Sequence, residues 1–287
     1  MNGIDTRILN RQTKKQWLLE LIGIVLDRFG KFIAIERMGT WSIDTTHVEL
    51  ILPHLPIQFD GYSIIQISDF HFGSWLKKAF LEEAINQVNS LLPDLVVITG
   101  DFVSFSPDKY SDDLVDCLKA LKPKDQVVAV LGNHDHWSDA DEVRRVLTHS
   151  HVKELNNRVF ILERGGACLY IAGVDDHLTK LDRLDRVVEL IPKESVAILL
   201  AHEPDFADES ASTGRFDLQL SGHSHGGQII FPFISRFFLP AKARKYPSGL
   251  YQIKDMYLYT NRGLGTTWLN LRYQCPPEIT EIVLRSH

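Results

Sequence analysis

The sequence is poor in cysteine: its 287 residues include three, at the widely separated positions 117, 168 and 275. No CxxC pair is present, which excludes a zinc-ribbon module. An odd number of isolated cysteines is typical of reduced, structural thiols in the cytoplasm. We therefore expect a cytoplasmic protein.

The sequence also lacks an excess of basic residues, since 31 Lys and Arg stand against 37 Asp and Glu and the formal net charge is -6. Proteins that bind nucleic acid through its phosphates usually carry a basic surface, so we expect no nucleic-acid partner. No Gly/Ser/Pro-rich linker and no internal repeat divides the chain. The sequence therefore predicts one catalytic domain over residues 59–287, preceded by an N-terminal amphipathic helical extension over residues 1–58.

A long uncharged apolar run is absent as well. The most apolar stretch, residues 17–35, contains Glu20, Asp27, Arg28 and Lys31. A membrane span needs about 20 mostly apolar residues, and one charge at mid-bilayer costs roughly 2.5–3.5 kcal/mol, so we expect no span. The polar residues fall on one stripe, which predicts an amphipathic helix. Two placements stay open: docking on its own domain, or peripheral contact with the inner face of the membrane.

What the sequence does contain is a repeated arrangement in which a short apolar run ends and polar residues follow at once. Five such runs, at 62–67, 95–99, 127–131, 196–200 and 217–220, are typical of buried strands. Helical periodicity lies between them, over 77–92, 112–121 and 139–148. Strands that alternate with helices predict an α/β fold. Ligands bind beyond the carboxyl ends of such strands, so we expect the polar clusters to lie together.

The residues in those clusters are the types that divalent cations select, namely carboxylate, imidazole and amide oxygen. Asp69 and His71 are two residues apart, so both side chains can reach one ion, and His223 and His225 repeat that spacing. Asp101 follows a glycine at a strand end, and its two oxygens could bridge two ions. The remaining candidate ligands are Asn133 and His202. Two divalent ions, two carboxylates and one hydroxide leave a formal charge of about +1, which attracts a phosphate.

The chain resembles the calcineurin-like metallophosphoesterase superfamily in five ordered blocks: Asp69-x-His71, Gly100-Asp101, Gly132-Asn133-His134-Asp135, His202 and Gly222-His223-Ser224-His225. The resemblance covers residues 60–285. It implies two mixed β-sheets packed as a sandwich and flanked by helices, a four-layer αββα fold. It also implies a hydrolase with two divalent ions, Mn being favoured over Fe and Zn.

By the same resemblance, each ion has four protein ligands. One set is Asp69, His71, Asp101 and His225, and the other is Asp101, Asn133, His202 and His223. His134 is expected to be catalytic, either protonating the leaving oxygen or stabilising the transition state. Asp135 is expected to orient His134.

A finer resemblance is to a branch of bacterial membrane-associated phosphoesterases, some of which cleave UDP-2,3-diacylglucosamine in lipid A synthesis. It rests on residues 67–73, on Gly226-Gly227-Gln228, and on residues 262–265 ahead of Pro277-Glu278-Ile279. The implied substrate is a lipid-linked phosphate or pyrophosphate. The N-terminal segment departs from the branch, because many of its members carry a membrane span there.

Three further residues are candidate substrate contacts: Phe231, Phe233 and Arg272. The aromatic pair belongs to an apolar stretch that predicts either a buried strand or a rim for an acyl chain. Arg272 lies in a predicted loop, where it could touch a phosphate. Two alternatives to the lipid substrate stay open: a general phosphodiesterase acting on nucleotides or cell-envelope phosphates, and a non-catalytic metal-binding scaffold. The scaffold is disfavoured because every ligand position is filled.

Overall fold

The computed structural model describes residues 42–104, 110–230, 237–267 and 269–287. In this part of the chain, two six-stranded β-sheets share a buried apolar interior. The amphipathic helix predicted in residues 17–35 lies outside the described residues, as do Phe231 and Phe233.

The first sheet places three ligand-bearing strands side by side. Its strands are β1 (Asp44–Ile51), β2 (Tyr62–Ile67), β3 (Leu95–Ile98), β4 (Gln126–Ala129), β5 (Lys153–Glu154) and β12 (Glu278–Arg285). Their order is β1-β12-β2-β3-β4-β5, and β12 with β2 is the antiparallel pair. Because β2, β3 and β4 are parallel neighbours, their carboxyl ends lie along one edge.

The second sheet supplies two more parallel strands to the same end. Its strands are β6 (Arg158–Arg164), β7 (Ala167–Gly173), β8 (Ala197–Leu200), β9 (Leu218–Ser221), β10 (Gly249–Ile253) and β11 (Met256–Thr260). Their order is β10-β11-β9-β8-β7-β6, with antiparallel pairs at both margins. The central strands β8 and β9 are parallel, as the predicted ligand positions require.

Helices cover the outer faces of both sheets. They are α1 (Lys78–Ser90), α2 (Ser111–Lys119), α3 (Asn133–Ser138), α4 (Ala140–His149), α5 (Leu184–Glu189) and α6 (Ala207–Ser212). Short 3-10 turns occupy Ile57–Phe59, Pro204–Phe206 and His225–Gly227. Helix α1 buries residues at three- and four-residue spacing, Leu81, Ala84, Ile85 and Val88, as an amphipathic helix does. Asp139 precedes helix α4 and caps it, because its side chain accepts the Glu142 N–H at 3.0 Å.

Three apolar clusters define the layers. One lies between the sheets and contains side chains such as Ile64 of β2 and Ile198 of β8. A second joins the first sheet to α1, α2 and α4, and a third joins the second sheet to α5 and α6. The predicted four-layer αββα architecture is therefore confirmed.

Strand β1 extends the fold beyond the predicted domain start at residue 59. It pairs in parallel with β12 from Asp44 opposite Glu278 to Ile51 opposite Arg285. Residues 44–51 thus belong to the first sheet, which corrects their assignment to a helical extension. Within the described ranges, no helix has the length and apolarity needed to cross a bilayer.

Candidate metal centre

The candidate ligands come together at one end of the sandwich. The ends of β2, β3 and β4 carry Asp69, His71, Asp101 and Asn133, and the ends of β8 and β9 carry His202, His223 and His225. A buried hydrogen bond joins the two sheets at this end, since the Gln66 side-chain amide donates to the Ser221 carbonyl at 2.9 Å. Donor atoms from both sheets therefore reach one centre.

The backbone at this centre is strained. Five of the candidate ligands have φ between 49° and 66°: Asp69, His71, Asp101, His223 and His225. A non-glycine residue in this region costs roughly 1–3 kcal/mol and persists only where its surroundings determine it. Here the Asp69 N–H donates to the Gly100 carbonyl at 2.9 Å and the His71 N–H to the Asp101 carbonyl at 3.0 Å. Such strain is typical of functional sites.

Two glycines are required by the close approach of the carboxylates. A Cβ atom on Gly132 would lie 2.3 Å from Asp101 Oδ1, and one on Gly222 would lie 2.3 Å from Asp69 Oδ2. Any side chain at either position would displace a candidate ligand. The glycines in the sequence blocks thus have a steric reason.

A first group of ligands contains Asp101, His202 and His223, and hydrogen bonds fix the tautomers of both rings. His202 Nδ1 lies 2.6 Å from the Thr99 carbonyl oxygen, and His223 Nε2 lies 2.9 Å from that of Ala241. Because a carbonyl oxygen only accepts hydrogen bonds, His202 Nδ1 and His223 Nε2 must carry protons. In a neutral ring the other nitrogen, His202 Nε2 or His223 Nδ1, then carries no proton. Those two nitrogens are 3.2 Å apart, and His202 Nε2 is also 3.2 Å from Asp101 Oδ2. When both rings are neutral, these two nitrogens and the carboxylate oxygen turn three electron pairs toward one point, where a cation would be stabilised.

Asn133 lies beside this group. Its neighbour Gly132 approaches both Asp101 and His202, and the N–H of His134 donates to Asp101 Oδ1 at 2.9 Å. The Asn133 Oδ1 atom is buried and has no hydrogen-bond partner among the described residues. Leaving such an acceptor unsatisfied costs about 1–3 kcal/mol. Coordination to a divalent ion would satisfy it, so this donor set fits a metal.

A second group contains Asp69, His71 and His225. The Ser74 hydroxyl donates to the His71 carbonyl at 2.8 Å, so its oxygen accepts from the Ser104 hydroxyl at 3.3 Å. Ser104 Oγ in turn accepts from His71 Nδ1 at 2.9 Å, which leaves His71 Nε2 unprotonated. That nitrogen lies 3.0 Å from His225 Nε2, which lies 3.4 Å from Asp69 Oδ1. This group also presents nitrogen and oxygen atoms to one point.

Asp101 stands between the two groups. Its Oδ2 atom is 3.2 Å from His202 Nε2 and 3.5 Å from His71 Nε2. One carboxylate therefore faces ligands of both groups, as a bridging ligand must.

Burial and charge together set the protonation of the centre. Burial lowers the pKa of His71 to about 3 and the pKa of His223 to about 4. Burial also raises the pKa of Asp69 to about 7, with the charge of Asp101 adding to the effect and that of His202 opposing it. For His202, burial acts against the charged ring, but the charges of Asp101 and Asp69 outweigh it and raise the pKa. The centre thus keeps His71 and His223 neutral, as metal ligands must be, whereas His202 holds a proton beside Asp101 that a bound cation would replace.

His134 lies at the margin of the centre. Its half-buried ring packs edge-on to His71, with centroids 4.7 Å apart, and lies 5.1 Å from the ring of Trp137. Trp137 itself is 60% exposed. The His134 ring therefore reaches the ligands while staying open to a bound molecule, as a proton donor must.

Asp135 has a different place from the one predicted. Its buried carboxylate accepts the backbone N–H groups of Gly132 at 2.9 Å, Phe102 at 2.8 Å and Val103 at 3.2 Å. These bonds join the loop after β3 to the first turn of α3, and they run to backbone rather than to the His134 ring. Asp135 thus holds two ligand-bearing loops together, which corrects the prediction that it orients His134.

Arg272 also differs from its prediction. Its guanidinium is buried, with 1% of the residue exposed. The group donates to four carbonyls, those of Arg262, Gly263, Gly265 and Cys275. Its Nη2 atom lies 3.4 Å from His225 Nδ1. Arg272 therefore faces backbone beneath a candidate ligand instead of a phosphate.

Ser74 and Ser104, which fix the tautomer of His71, were not among the predicted site residues. Both lie within three residues of a ligand, Ser74 after His71 and Ser104 after Asp101. Nothing distinguishes them from ordinary loop serines in the sequence, because their role depends on contact between two loops.

Comparison with known proteins agrees with this geometry. A family model described as calcineurin-like phosphoesterase matches residues 62–227, a range that contains all the candidate ligands. The uncharacterized metallophosphoesterase YkuE of Bacillus subtilis (strain 168) is 31% identical over 286 residues, which cover 97% of this chain and 99% of that protein. The uncharacterized metallophosphoesterase Cj0846 of Campylobacter jejuni is 32% identical over 276 residues, 93% of this chain and 70% of that protein. The phosphodiesterase YaeI of Escherichia coli (strain K12) is 26% identical over 227 residues, 78% of this chain and 82% of that protein.

Proposed function

This chain belongs to the calcineurin-like phosphoesterase family and is a phosphoester hydrolase, and we propose that it cleaves a phosphate ester or pyrophosphate bond at a centre of two divalent ions. The first ion is assigned to Asp69, His71, Asp101 and His225, and the second to Asp101, Asn133, His202 and His223. Mn²⁺ is favoured, and Fe and Zn suit the same donors. A bound metal pair lowers the pKa of water and stabilises charge on phosphoryl oxygens.

One observation carries this proposal. Nε2 of His202 lies 3.2 Å from both Nδ1 of His223 and Oδ2 of Asp101, and the buried Asn133 oxygen beside them has no hydrogen-bond partner among the described residues. Apolar packing would not select this arrangement, because each buried electron pair without a partner raises the free energy of the folded state. A divalent cation relieves all of these costs at once.

The chain's own catalytic group in this proposal is His134. Its ring lies against His71 and opens to the surface beside Trp137. From there it can hold a proton for the leaving oxygen, a role that contributes typically 10²–10⁴-fold to a rate. The backbone N–H of His134 meanwhile fixes Oδ1 of the bridging Asp101.

For the substrate we favour a lipid-linked phosphate or pyrophosphate, with UDP-2,3-diacylglucosamine as the first candidate. Support comes from exposed apolar residues along the chain after the last ligands: Ile230 is 36% exposed and Phe237 80% exposed. Trp137 adds a third exposed apolar side chain, in contact with His134. Exposed apolar groups beside a polar site suit a substrate with one apolar end. Phe231 and Phe233 keep their sequence-based assignment as acyl-chain contacts.

The test is hydrolysis of UDP-2,3-diacylglucosamine by the purified chain in detergent with Mn²⁺, followed by mass spectrometry. Wild type should release UMP and the acylated sugar 1-phosphate. Asp101→Asn should release neither and should bind less Mn²⁺, because it removes the bridging charge. His134→Ala should bind Mn²⁺ as wild type does and should lose less rate on this substrate than on an alkyl ester, because the sugar 1-phosphate can leave without a proton. If wild type binds two ions and hydrolyses other esters but leaves this lipid intact, the lipid substrate is wrong and the two-metal centre stands.

A second candidate is a general phosphodiesterase that acts on nucleotides or cell-envelope phosphates. The observation in its favour is the similarity to YaeI, which is named a phosphodiesterase. A panel of bis(4-nitrophenyl) phosphate, 4-nitrophenyl phosphate and cyclic nucleotides separates the two candidates. Turnover of the soluble diesters that matches or exceeds turnover of the lipid would favour the general enzyme.

A further inference from the structure

Arg272 is a buried cation whose N–H groups donate to backbone carbonyls. Nε donates to Gly265 at 3.1 Å and Nη1 to Cys275 at 3.2 Å, while Nη2 donates to Arg262 at 2.8 Å, Gly263 at 3.0 Å and Gly265 at 2.6 Å. Burial lowers the pKa of Arg272, because removing a charge from water disfavours the charged form. Such a group is costly unless every donor is satisfied. The acceptors therefore belong to one loop, residues 262–265, and to Cys275.

That loop, residues 262–265, supports the backbone of Asp69. The Leu264 N–H donates to the Ser68 carbonyl at 2.9 Å and the Gly265 N–H to the Asp69 carbonyl at 2.8 Å. A Cβ atom on Gly263 would lie 2.7 Å from Asp69 Cβ. The position of the Asp69 side chain therefore depends on where this loop lies.

Arg272 also reaches the other side of the same ligand group. Its Nη2 atom is 3.4 Å from His225 Nδ1. Its partner Cys275 donates from Sγ to the His225 carbonyl at 3.2 Å. Both the ring and the backbone of His225 are thus in contact with Arg272 or with a residue it binds.

The other ligand group is supported differently. His202 is held by the Thr99 carbonyl and His223 by the Ala241 carbonyl. Among the described residues, no hydrogen bond joins Arg272 directly to Asn133, His202 or His223.

We propose that Arg272 is a positioning residue for one of the two metal sites, the site formed by Asp69, His71 and His225. On one side the guanidinium fixes the 262–265 loop, which supports the Asp69 backbone. On the other side it contacts the His225 ring and holds Cys275, which donates to the His225 carbonyl. Loss of its forked geometry would separate these two ligands and leave the Asp101, His202 and His223 group intact. This inference rests on the two-ion centre of the proposed function.

The test measures metal binding, independently of activity. Wild type and Arg272→Lys are stripped with a chelator and titrated with Mn²⁺ by calorimetry, and bound metal per chain is counted by mass spectrometry. Wild type should bind two ions. Arg272→Lys keeps the charge but loses the fork, and it should bind one ion as wild type does and the other roughly 10–100-fold more weakly.

Two further variants identify the site and guard against misfolding. Gly263→Ala places a methyl group against Asp69 without removing the guanidinium, so it should weaken the binding of the same ion. Arg272→Lys combined with His225→Ala should lower the Mn²⁺ affinity little more than His225→Ala alone, because both changes act on the same site. Arg272→Lys combined with His202→Ala should leave no tightly bound ion, because each change then weakens a different site. Arg164→Lys is the matched control, because Arg164 pairs with Asp94 and Asp125 away from the centre, and it should keep both ions.

The outcomes are distinct. Fewer than two ions in wild type would count against the proposed function itself. Two ions in wild type, with unchanged affinities in Arg272→Lys and Gly263→Ala, would overturn the positioning role and leave the proposed function standing. An equal loss of affinity for both ions in the two variants would likewise overturn the assignment of Arg272 to one site.

Discussion

His71 and His225 bring their Nε2 atoms to 3.0 Å from each other in a fully protein-enclosed position. The serine pair beside His71 fixes its proton on Nδ1, so the facing nitrogen carries an electron pair. Asp101 and Asp69 add carboxylate oxygens at 3.5 Å and 3.4 Å. The folded state therefore gathers negative charge and electron pairs at a cost that bound cations remove.

Metal binding should consequently stabilise the fold. A ligand at 100 times its Kd adds about 2.7 kcal/mol per site to the free energy of unfolding. For a domain of this size 1 kcal/mol shifts Tm by roughly 2–4 °C, so saturating Mn²⁺ should raise Tm by at least about 5 °C over a chelated sample. Scanning calorimetry with Mn²⁺ and with EDTA measures the difference. Asp101→Asn serves as the control and should show little shift; equal Tm values for wild type in both buffers would contradict a buried metal centre.

Replacing His134 should lower kcat by an amount that depends on the leaving group. His134→Ala removes the proposed proton donor but none of the assigned ligands. With an alkyl leaving group we expect kcat to fall by roughly 10²–10⁴-fold. With 4-nitrophenolate, which leaves without a proton, the loss should be much smaller. The neighbouring His136→Ala, whose ring is held by Asp175 at 2.7 Å, is the control. Equal losses for both leaving groups would exclude the proton-donor role.

Asp135→Asn should lower the free energy of unfolding and should not make kcat depend on the leaving group. The carboxylate accepts three backbone N–H groups, and an amide offers one oxygen and turns an NH₂ group toward a donor. Losing charge-assisted bonds of this kind costs about 1.5–3 kcal/mol. Urea unfolding measures the loss. A variant with wild-type unfolding and the leaving-group pattern of His134→Ala would instead restore the orienting role.

The metal ligands could be predicted because their signal is local. Asp69 with His71, and His223 with His225, each follow a buried apolar run at two-residue spacing, and parallel strands bring such positions to one edge. The same reasoning recovered the five strands β2, β3, β4, β8 and β9 and the helices α1, α2 and α4. Each of these signals lies within a few residues of the feature it predicts.

The features that escaped prediction depend on contacts between distant segments. Strand β1 is recognisable only through its partner β12, more than 200 residues later in the chain. Arg272 reads as an exposed loop residue until the carbonyls of residues 262–265 enclose it. Asp135 follows His134 in the sequence, yet the helical turn of α3 directs its carboxylate to the backbone of Phe102. Sequence spacing alone does not carry this information.

Glu278 should make the fold sensitive to acid. This buried residue of β12 accepts hydrogen bonds from Thr46 of β1 at 2.6 Å and from Tyr259 of β11 at 2.7 Å, and it pairs with Arg262 at 3.1 Å. It thereby links both sheets. Burial alone would raise its pKa, but the charge of Arg262 and the hydrogen bonds outweigh burial and lower the pKa below 4.5. Because the pKa is lower in the folded state, this stabilisation is complete above the unfolded value and is lost as pH falls through the folded one.

Glu278→Gln should therefore lower the free energy of unfolding at pH 7 by about 3 kcal/mol, since it leaves Arg262 without its buried partner. Below pH 4.5 the difference from wild type should shrink, because the wild-type carboxylate is itself being protonated. Urea unfolding from pH 7 to pH 3 measures both effects. Glu49→Gln on β1 is the matched control, because its exposed pair with Arg285 should contribute less than about 1 kcal/mol. A Glu278→Gln penalty that stays constant over this pH range would mean that the carboxylate charge does not stabilise the joint between the sheets.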